Sequence, residues 1–187
     1  MIQTQSQWAT LLFLVIFLGG GWIALSREEV SESASAIILT EAPIVGYLAP
    51  DFTLQTPLGE TIVLSDITAG AQGQPIVLNF WASWCGPCRI EMPDLQQTSM
   101  KYNGRVAVLG INQGENNQAI TQFGTEFNVT YPLLNDQNQE VNSTYQINSL
   151  PTTIFIDANG IVREVQIGII TKAVLEDRIE QLIAEAE

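Results

Sequence analysis

Cys85 and Cys88 are the only two cysteines in the 187 residues, and they stand in the run Trp84-Cys85-Gly86-Pro87-Cys88. The sequence contains no histidine. That removes a Ser-His-Asp triad, a Cys-His nucleophile pair and any His-ligated zinc or copper. Two cysteines cannot give a metal four thiolates; they can form one disulfide or one dithiol. The apolar run 75–80 (PIVLNF) leads into the motif and a helical stretch leads out of it. A CxxC between a buried strand and a helix start reads as a redox pair. Cys85 then falls at the helix N-terminus, where unpaired backbone N–H groups and the macrodipole favour a thiolate. Cys88 lies one turn further on the same face, within disulfide reach. Pro87 suits the first turn, which does not use its N–H. In this reading the sulfur of Cys85 is exposed and attacks, and that of Cys88 is more covered and resolves the mixed disulfide. A structural disulfide is the plainer alternative, although so short a loop removes little chain entropy. A metal held by two thiolates would lack further Cys or His ligands.

Seven Lys and Arg against twenty Asp and Glu give a net charge of −13. Nucleic acid is an unsuitable partner for such a surface, which offers phosphates few cations. The length suits one domain with additions. Residues 8–25 (WATLLFLVIFLGGGWIAL) carry no charge and have Trp8 and Trp22 near their ends. This is close to the shortest stretch that crosses a bilayer as a helix. We expect an uncleaved membrane anchor over 1–25, a flexible Ser-, Glu- and Ala-rich tether over 26–42, and a globular domain over 43–187. A cleaved signal peptide is the rival reading. Ala34-Ser35-Ala36 has the look of a cleavage site, but it lies well beyond the apolar stretch, and no basic segment precedes it. The absence of Lys and Arg before Trp8 leaves the orientation unsigned.

Within the globular part, the short runs 52–54 and 61–64 flank Pro57-Leu58-Gly59 and read as a β-hairpin. Residues 75–80 and 106–111 are continuous apolar runs, as in strands covered on both faces. Helices are expected over 85–102, 117–127, 137–145 and 171–186. The last has Val174, Leu175, Ile179, Leu182, Ile183 and Ala186 on one face. Strands over 153–157 and 161–167 are joined by Ala158-Asn159-Gly160, a strong hairpin signal. The order predicts a mixed α/β sheet with helices on both sides.

The motif after Phe80-Trp81-Ala82 resembles that of thioredoxin. Pro93, five residues after Cys88, stands where the thioredoxin helix carries a kinking proline, and Leu150-Pro151-Thr152-Thr153 precedes a strand as the fold's cis-proline does. The chain is similar, more narrowly, to the membrane-anchored TlpA/ResA-type thiol–disulfide oxidoreductases, relatives of the AhpC/TSA proteins. Ala49-Pro50-Asp51-Phe52-Thr53-Leu54, Leu64-Ser65-Asp66 and Leu78-Asn79-Phe80-Trp81 come in their order. The run CGPCRIEMP from Cys85 to Pro93 fits their C-x-P-C-x-x-E-x-P.

The resemblance covers 43–187 and implies a thioredoxin-like fold, with an extra N-terminal β-hairpin and a central insertion. It implies Cys85 and Cys88 as the reacting pair and Pro151 in the cis form, presenting the backbone of Leu150 beside Cys85. Trp84, Gly86, Pro87 and Leu150 would meet the substrate. Where thioredoxin has a buried Asp, this chain has Asn79. Glu91, three residues after Cys88, is the replacement, partly buried and able to exchange protons with a cysteine. The alternative is a solvent-exposed Glu91 that merely favours the helix start. No cofactor is implied. The implied partners are disulfide-bearing exported proteins, such as apocytochrome c, and an integral-membrane thiol carrier of the CcdA/DsbD type as electron donor. The domain would lie on the extracytoplasmic side of the cell membrane.

Two other functions use related folds. A thiol peroxidase needs Pro-x-x-x-Thr-x-x-Cys, and neither cysteine has that Pro and Thr upstream. A metal-delivery module uses a His ligand, which this chain lacks. Asn128-Val129-Thr130 and Asn142-Ser143-Thr144 fit the glycosylation pattern, which is common by chance.

Overall fold

A computed structural model describes residues 40–68 and 73–185. The expected anchor over 1–25, and the tether up to residue 39, lie outside the described residues. Among the described residues no helix is long and apolar enough to cross a membrane.

The chain runs β1 (Thr53–Gln55), β2 (Thr61–Val63), α1 (Leu64–Thr68), β3 (Ile76–Trp81), α2 (Gly86–Lys101), β4 (Ala107–Gln113), α3 (Asn117–Glu126), β5 (Leu133–Asp136), α4 (Glu140–Thr144), β6 (Thr152–Ile156), β7 (Val162–Ile167) and α5 (Lys172–Ala184). The seven strands form one sheet in the order β2-β1-β5-β4-β3-β6-β7. Strands β3, β4 and β5 are parallel neighbours, and β6, β7, β1 and β2 join antiparallel. Every residue of β3 is buried, as its unbroken apolar run requires of a central strand. One face of the sheet packs Val77, Trp81 and Phe155 against Met92 and Leu95 of α2, Phe123 of α3 and Ile179 of α5. The other packs Ile76, Leu78 and Ile154 against Phe52, Leu64 of α1 and Val141 and Tyr145 near α4. The expected mixed sheet with helices on both sides is the one that forms.

Two elements are additional to the expected order. Strand β5 is only four residues after Pro132, too short for a period to show, and it exists because β4 and β1 pair with it on either side. Helix α1 is capped from a distance. The carboxylate of Asp51 accepts from the N–H and hydroxyl of Ser65, at 2.9 and 2.8 Å, so its start signal lies outside any local window. One smaller expectation is corrected, and one chance pattern is ruled on. Val174 faces solvent at 40% exposure, because α5 turns Leu175, Ile179, Leu182 and Ile183 inward instead. Asn142 is buried, with its amide donating to Asp136 at 2.7 Å, so in the folded chain that glycosylation pattern is not accessible.

Strand β4 passes β3 through Gly110, opposite Asn79, where the space for a side chain is taken. A Cβ there would lie 2.7 Å from Leu133 Cδ2 and 3.0 Å from Trp81 Nε1. Leu133 belongs to β5 and Trp81 leads into the cysteine motif. Gly110→Ala is expected to destabilise the fold by about 1–3 kcal/mol, the usual range for overpacking. Urea unfolding measures this; an unchanged midpoint would show that Leu133 and Trp81 yield without cost.

Candidate active site

Strand β3 ends at Trp81 and α2 begins at Gly86, so the loop between them is short and its two ends are fixed. Trp81 is buried and stacks on Phe123, with ring centroids 4.3 Å apart. The carboxylate of Glu115 accepts from the backbone N–H of Ser83 at 2.7 Å, from its hydroxyl, and from the Asn112 amide at 2.7 Å. On the other side of the loop, the Arg89 guanidinium lies over the rings of Phe123 and Phe127 and pairs with Glu126.

These contacts deliver Cys85 as the N-cap of α2 in an extended conformation. Its Sγ accepts from the backbone N–H of Cys88 at 3.2 Å. One of the helix's orphan donors therefore ends on sulfur, and the same field favours a thiolate there. Pro87 occupies the first turn, where its missing N–H leaves nothing unpaired. Cys85 and Cys88 are joined by a disulfide, with Cα atoms 5.3 Å apart. Cys88 is fully covered and Cys85 is 5% exposed, so Cys85 is the more accessible sulfur but far less open than the sequence implies.

Cys85 lines a groove of ≈ 310 Å³ with Trp84, Gly86 and Pro87 on one side and Ile147, Asn148, Ser149 and Leu150 on the other. All four residues expected to meet a substrate, Trp84, Gly86, Pro87 and Leu150, border this one groove. Trp84 is 69% exposed beside the sulfur. The Leu150–Pro151 peptide bond is cis. Pro151 is buried behind the groove, and its carbonyl accepts from Gly168 N–H at 2.8 Å.

Glu91 sits behind the cysteines, three residues after Cys88 on α2 and only 1% exposed. Its enclosure exceeds the partial burial read from the sequence. The segment after β7 closes over it: Ile170 N–H donates to Oε2 at 3.0 Å, while the Asn79 amide donates to Oε1 at 2.7 Å. Burial pushes the Glu91 carboxyl up from 4.5 to about 7, against the lowering effect of those two hydrogen bonds; nearby Asp94 raises it further. Tyr131, whose hydroxyl donates to Met92 Sδ at 2.8 Å, is pushed upward by burial and by facing Glu91, and stays neutral. Among the described residues no group of three or more His, Cys, Asp or Glu side chains is placed to hold a metal.

Glu115, which pins the loop, and Ile170, which pins the buried carboxyl, carry no sequence signal, because each acts across the fold. The assembled parts are a sulfur at a helix start beside a groove, a covered second sulfur, and a buried acid one turn beyond it. Such an arrangement can exchange a dithiol for a disulfide and handle the accompanying proton.

The AhpC/TSA family model matches residues 45–165. The chain is 34% identical over 181 residues to the thioredoxin-like protein YneN of Bacillus subtilis, covering 93% of this chain and 97% of that protein. It is 36% identical over 174 residues to the thiol-disulfide oxidoreductase ResA of Geobacillus kaustophilus, covering 92% and 93%. Among solved structures, a secreted Mycobacterium tuberculosis disulfide oxidoreductase superimposes with a TM-score of 0.63 at 26% identity, over 70% of this chain and 95% of that one. The thioredoxin-like fold is thus shared with disulfide oxidoreductases.

The Glu91 shift has a stability consequence with a definite sign. The folded carboxyl holds its proton more tightly than the unfolded one, about 7 against 4.5. Its contribution is therefore fully present below pH 4.5 and is lost as pH rises through 7, on the order of 3 kcal/mol in all. In the oxidised protein, Glu91→Gln should be the more stable form at pH 8, with the advantage shrinking toward pH 5. Urea midpoints at the two pH values measure it; an equal gap at both would mean that Glu91 does not titrate in this range.

Proposed function

The chain belongs to the AhpC/TSA family and is a thiol–disulfide oxidoreductase, and we propose that within this activity it is a membrane-held reductase of disulfides in exported proteins. The observation that most supports the exchange chemistry is the placing of Cys85 Sγ, on the N–H of a helix start and at the wall of an open groove. In the reduced protein the Cys85 thiolate attacks one sulfur of a substrate disulfide. A Cys85–substrate disulfide forms, and the substrate's other sulfur leaves as a thiolate and takes up a proton. Cys88 then gives its proton to the Glu91 carboxylate and attacks Cys85 Sγ. The Cys85–Cys88 disulfide closes, the second substrate sulfur departs as thiolate, and two electrons have passed to the substrate. Trp84, Gly86, Pro87 and Leu150 border the path the substrate backbone would take, and Pro151 fixes the groove's far wall.

Restoring the dithiol needs two electrons, which an integral-membrane thiol carrier of the CcdA/DsbD type would supply. The uncharged stretch 8–25 would hold the chain in the membrane, with the domain on the extracytoplasmic side, where disulfides persist. Haem-binding cysteines of apocytochrome c are the substrates this reading favours.

Cys88→Ala should trap mixed disulfides with exported proteins through Cys85, and Cys85→Ala should not. Alkylation of the reduced protein at mildly acidic pH should map to Cys85. Trapping through Cys88 would reverse the two roles. A midpoint potential near thioredoxin's, about −270 mV, supports the reductase direction, and one near about −120 mV would make the protein a disulfide donor. The mature chain should fractionate with membranes and be digested by protease once the envelope is permeabilised. A soluble mature form beginning after Ala36 would overturn the anchor.

A further inference from the structure

We propose that the Asn79 side-chain amide, by turning over, keeps the buried Glu91 carboxyl hydrogen-bonded in both of its protonation states. Asn79 is then a positioning residue for the proton that Glu91 exchanges with Cys88. The proposal rests on that reading of Glu91.

Asn79 lies in the middle of β3, fully buried, directly opposite Thr153 of β6. Its Nδ2 reaches two acceptors, Glu91 Oε1 at 2.7 Å and the Thr153 hydroxyl at 3.2 Å. Its Oδ1 is equally buried and has no partner. A central strand leaves such an oxygen no route to water, and an unmet acceptor there is costly.

One end of the amide is unmet in either orientation, so the choice between the two is left to what Glu91 and Thr153 present at the other end. The amide's oxygen and nitrogen exchange places by a half-turn about the last side-chain torsion, which is soft and two-fold. With Glu91 ionised, the observed orientation gives the carboxylate a charge-assisted donor. With Glu91 protonated, its O–H would meet that same donor. The half-turn brings Oδ1 round instead, to accept from the Glu91 O–H and from the Thr153 hydroxyl, whose hydrogen rotates freely. Ile170 N–H continues to donate to Oε2 in both states. The proton that leaves Cys88 as its thiolate forms therefore arrives at a carboxyl with partners on both oxygens, and it finds the same when it returns.

Among the described residues no other neighbour of Glu91 can follow the proton in this way. On α2, Cys88 is the exchange partner, and the Asp94 carboxyl acts on Glu91 only through its charge. Tyr131, ahead of β5, directs its hydroxyl to Met92. The segment before α5 offers only the Ile170 backbone, and β3 and β6 offer Asn79 and Thr153, both uncharged. An aspartate at position 79 would be a second carboxylate against Glu91, and the pair would titrate jointly. Asparagine at 79 is what allows Glu91 to titrate alone.

The test uses the full-length protein in detergent micelles, with the Glu91 carboxyl followed by ¹³C NMR and the thiols by alkylation against pH. In the parent protein the Asn79 side-chain amide resonances should shift with the midpoint of Glu91. Asn79→Leu should move that midpoint upward, because the ionised form loses a charge-assisted donor and the protonated form only an ordinary acceptor. Thr153→Val should move it less, and keeps the test open if the Leu variant does not fold. Asn79→Asp should give two coupled steps in place of one. A Glu91 midpoint unchanged in both Asn79→Leu and Thr153→Val would overturn the proposal, as would Asn79 amide signals blind to pH. Should Glu91→Gln leave the thiol pH profile unaltered, the proton role of Glu91 falls and takes that of Asn79 with it. The carboxyl midpoints would still distinguish this failure from the other.

Discussion

A helix start aimed at a sulfur atom is the constraint on which this domain depends. Backbone N–H groups at the head of α2 have no partners within the helix, and one of them ends on Cys85 Sγ. That contact survives only if the loop between β3 and α2 cannot drift. The sheet therefore holds the loop by buried stacking on its strand side, through Trp81 and Phe123, and by the Glu115 carboxylate on its backbone. Strand β4 leaves room for the Trp81 indole by carrying no side chain at Gly110. The core and the reactive centre are thus parts of one packing problem.

The buried carboxyl is set by a second balance. Two donors favour the charged form of Glu91, and burial works against it more strongly, so the group is poised near neutrality. A carboxylate better satisfied would stay ionised and hold no proton; one without donors would stay protonated. The same balance makes Glu91 a weak point in the folded state at alkaline pH. Instability and a readiness to take protons have here a single physical origin.

Where the sequence was informative, the controlling contacts were local. The unbroken run of β3, the Cys85 cap with Pro87 behind it, and the Asn159-Gly160 turn between β6 and β7 each depend on neighbours within a few residues. Strand β5 and helix α1 were not legible, because their partners lie on other strands or, for α1, at Asp51. The site divides in the same way. Cys85, Cys88, Trp84, Gly86 and Pro87 follow one another in the chain, and spacing alone groups them. The full enclosure of Glu91 was invisible, since the N–H that closes over it comes 79 positions later, at Ile170. Motif order was what connected Pro151 to the cysteines across that distance.

The route by which the chain enters the sheet fixes a direction. Residues 46–49 hydrogen-bond to Gly160 and Val162, at the turn between β6 and β7. In β6 that turn follows Ile156, whereas Pro151 and the cysteine motif lie at the Thr152 end. Strand β6, from Thr152 to Ile156, lies between the two ends and spans about 14 Å at roughly 3.4 Å per step. The chain thus enters the domain at one end of β6 and presents the disulfide at the other, so a partner that reaches the groove need not pass the point of entry.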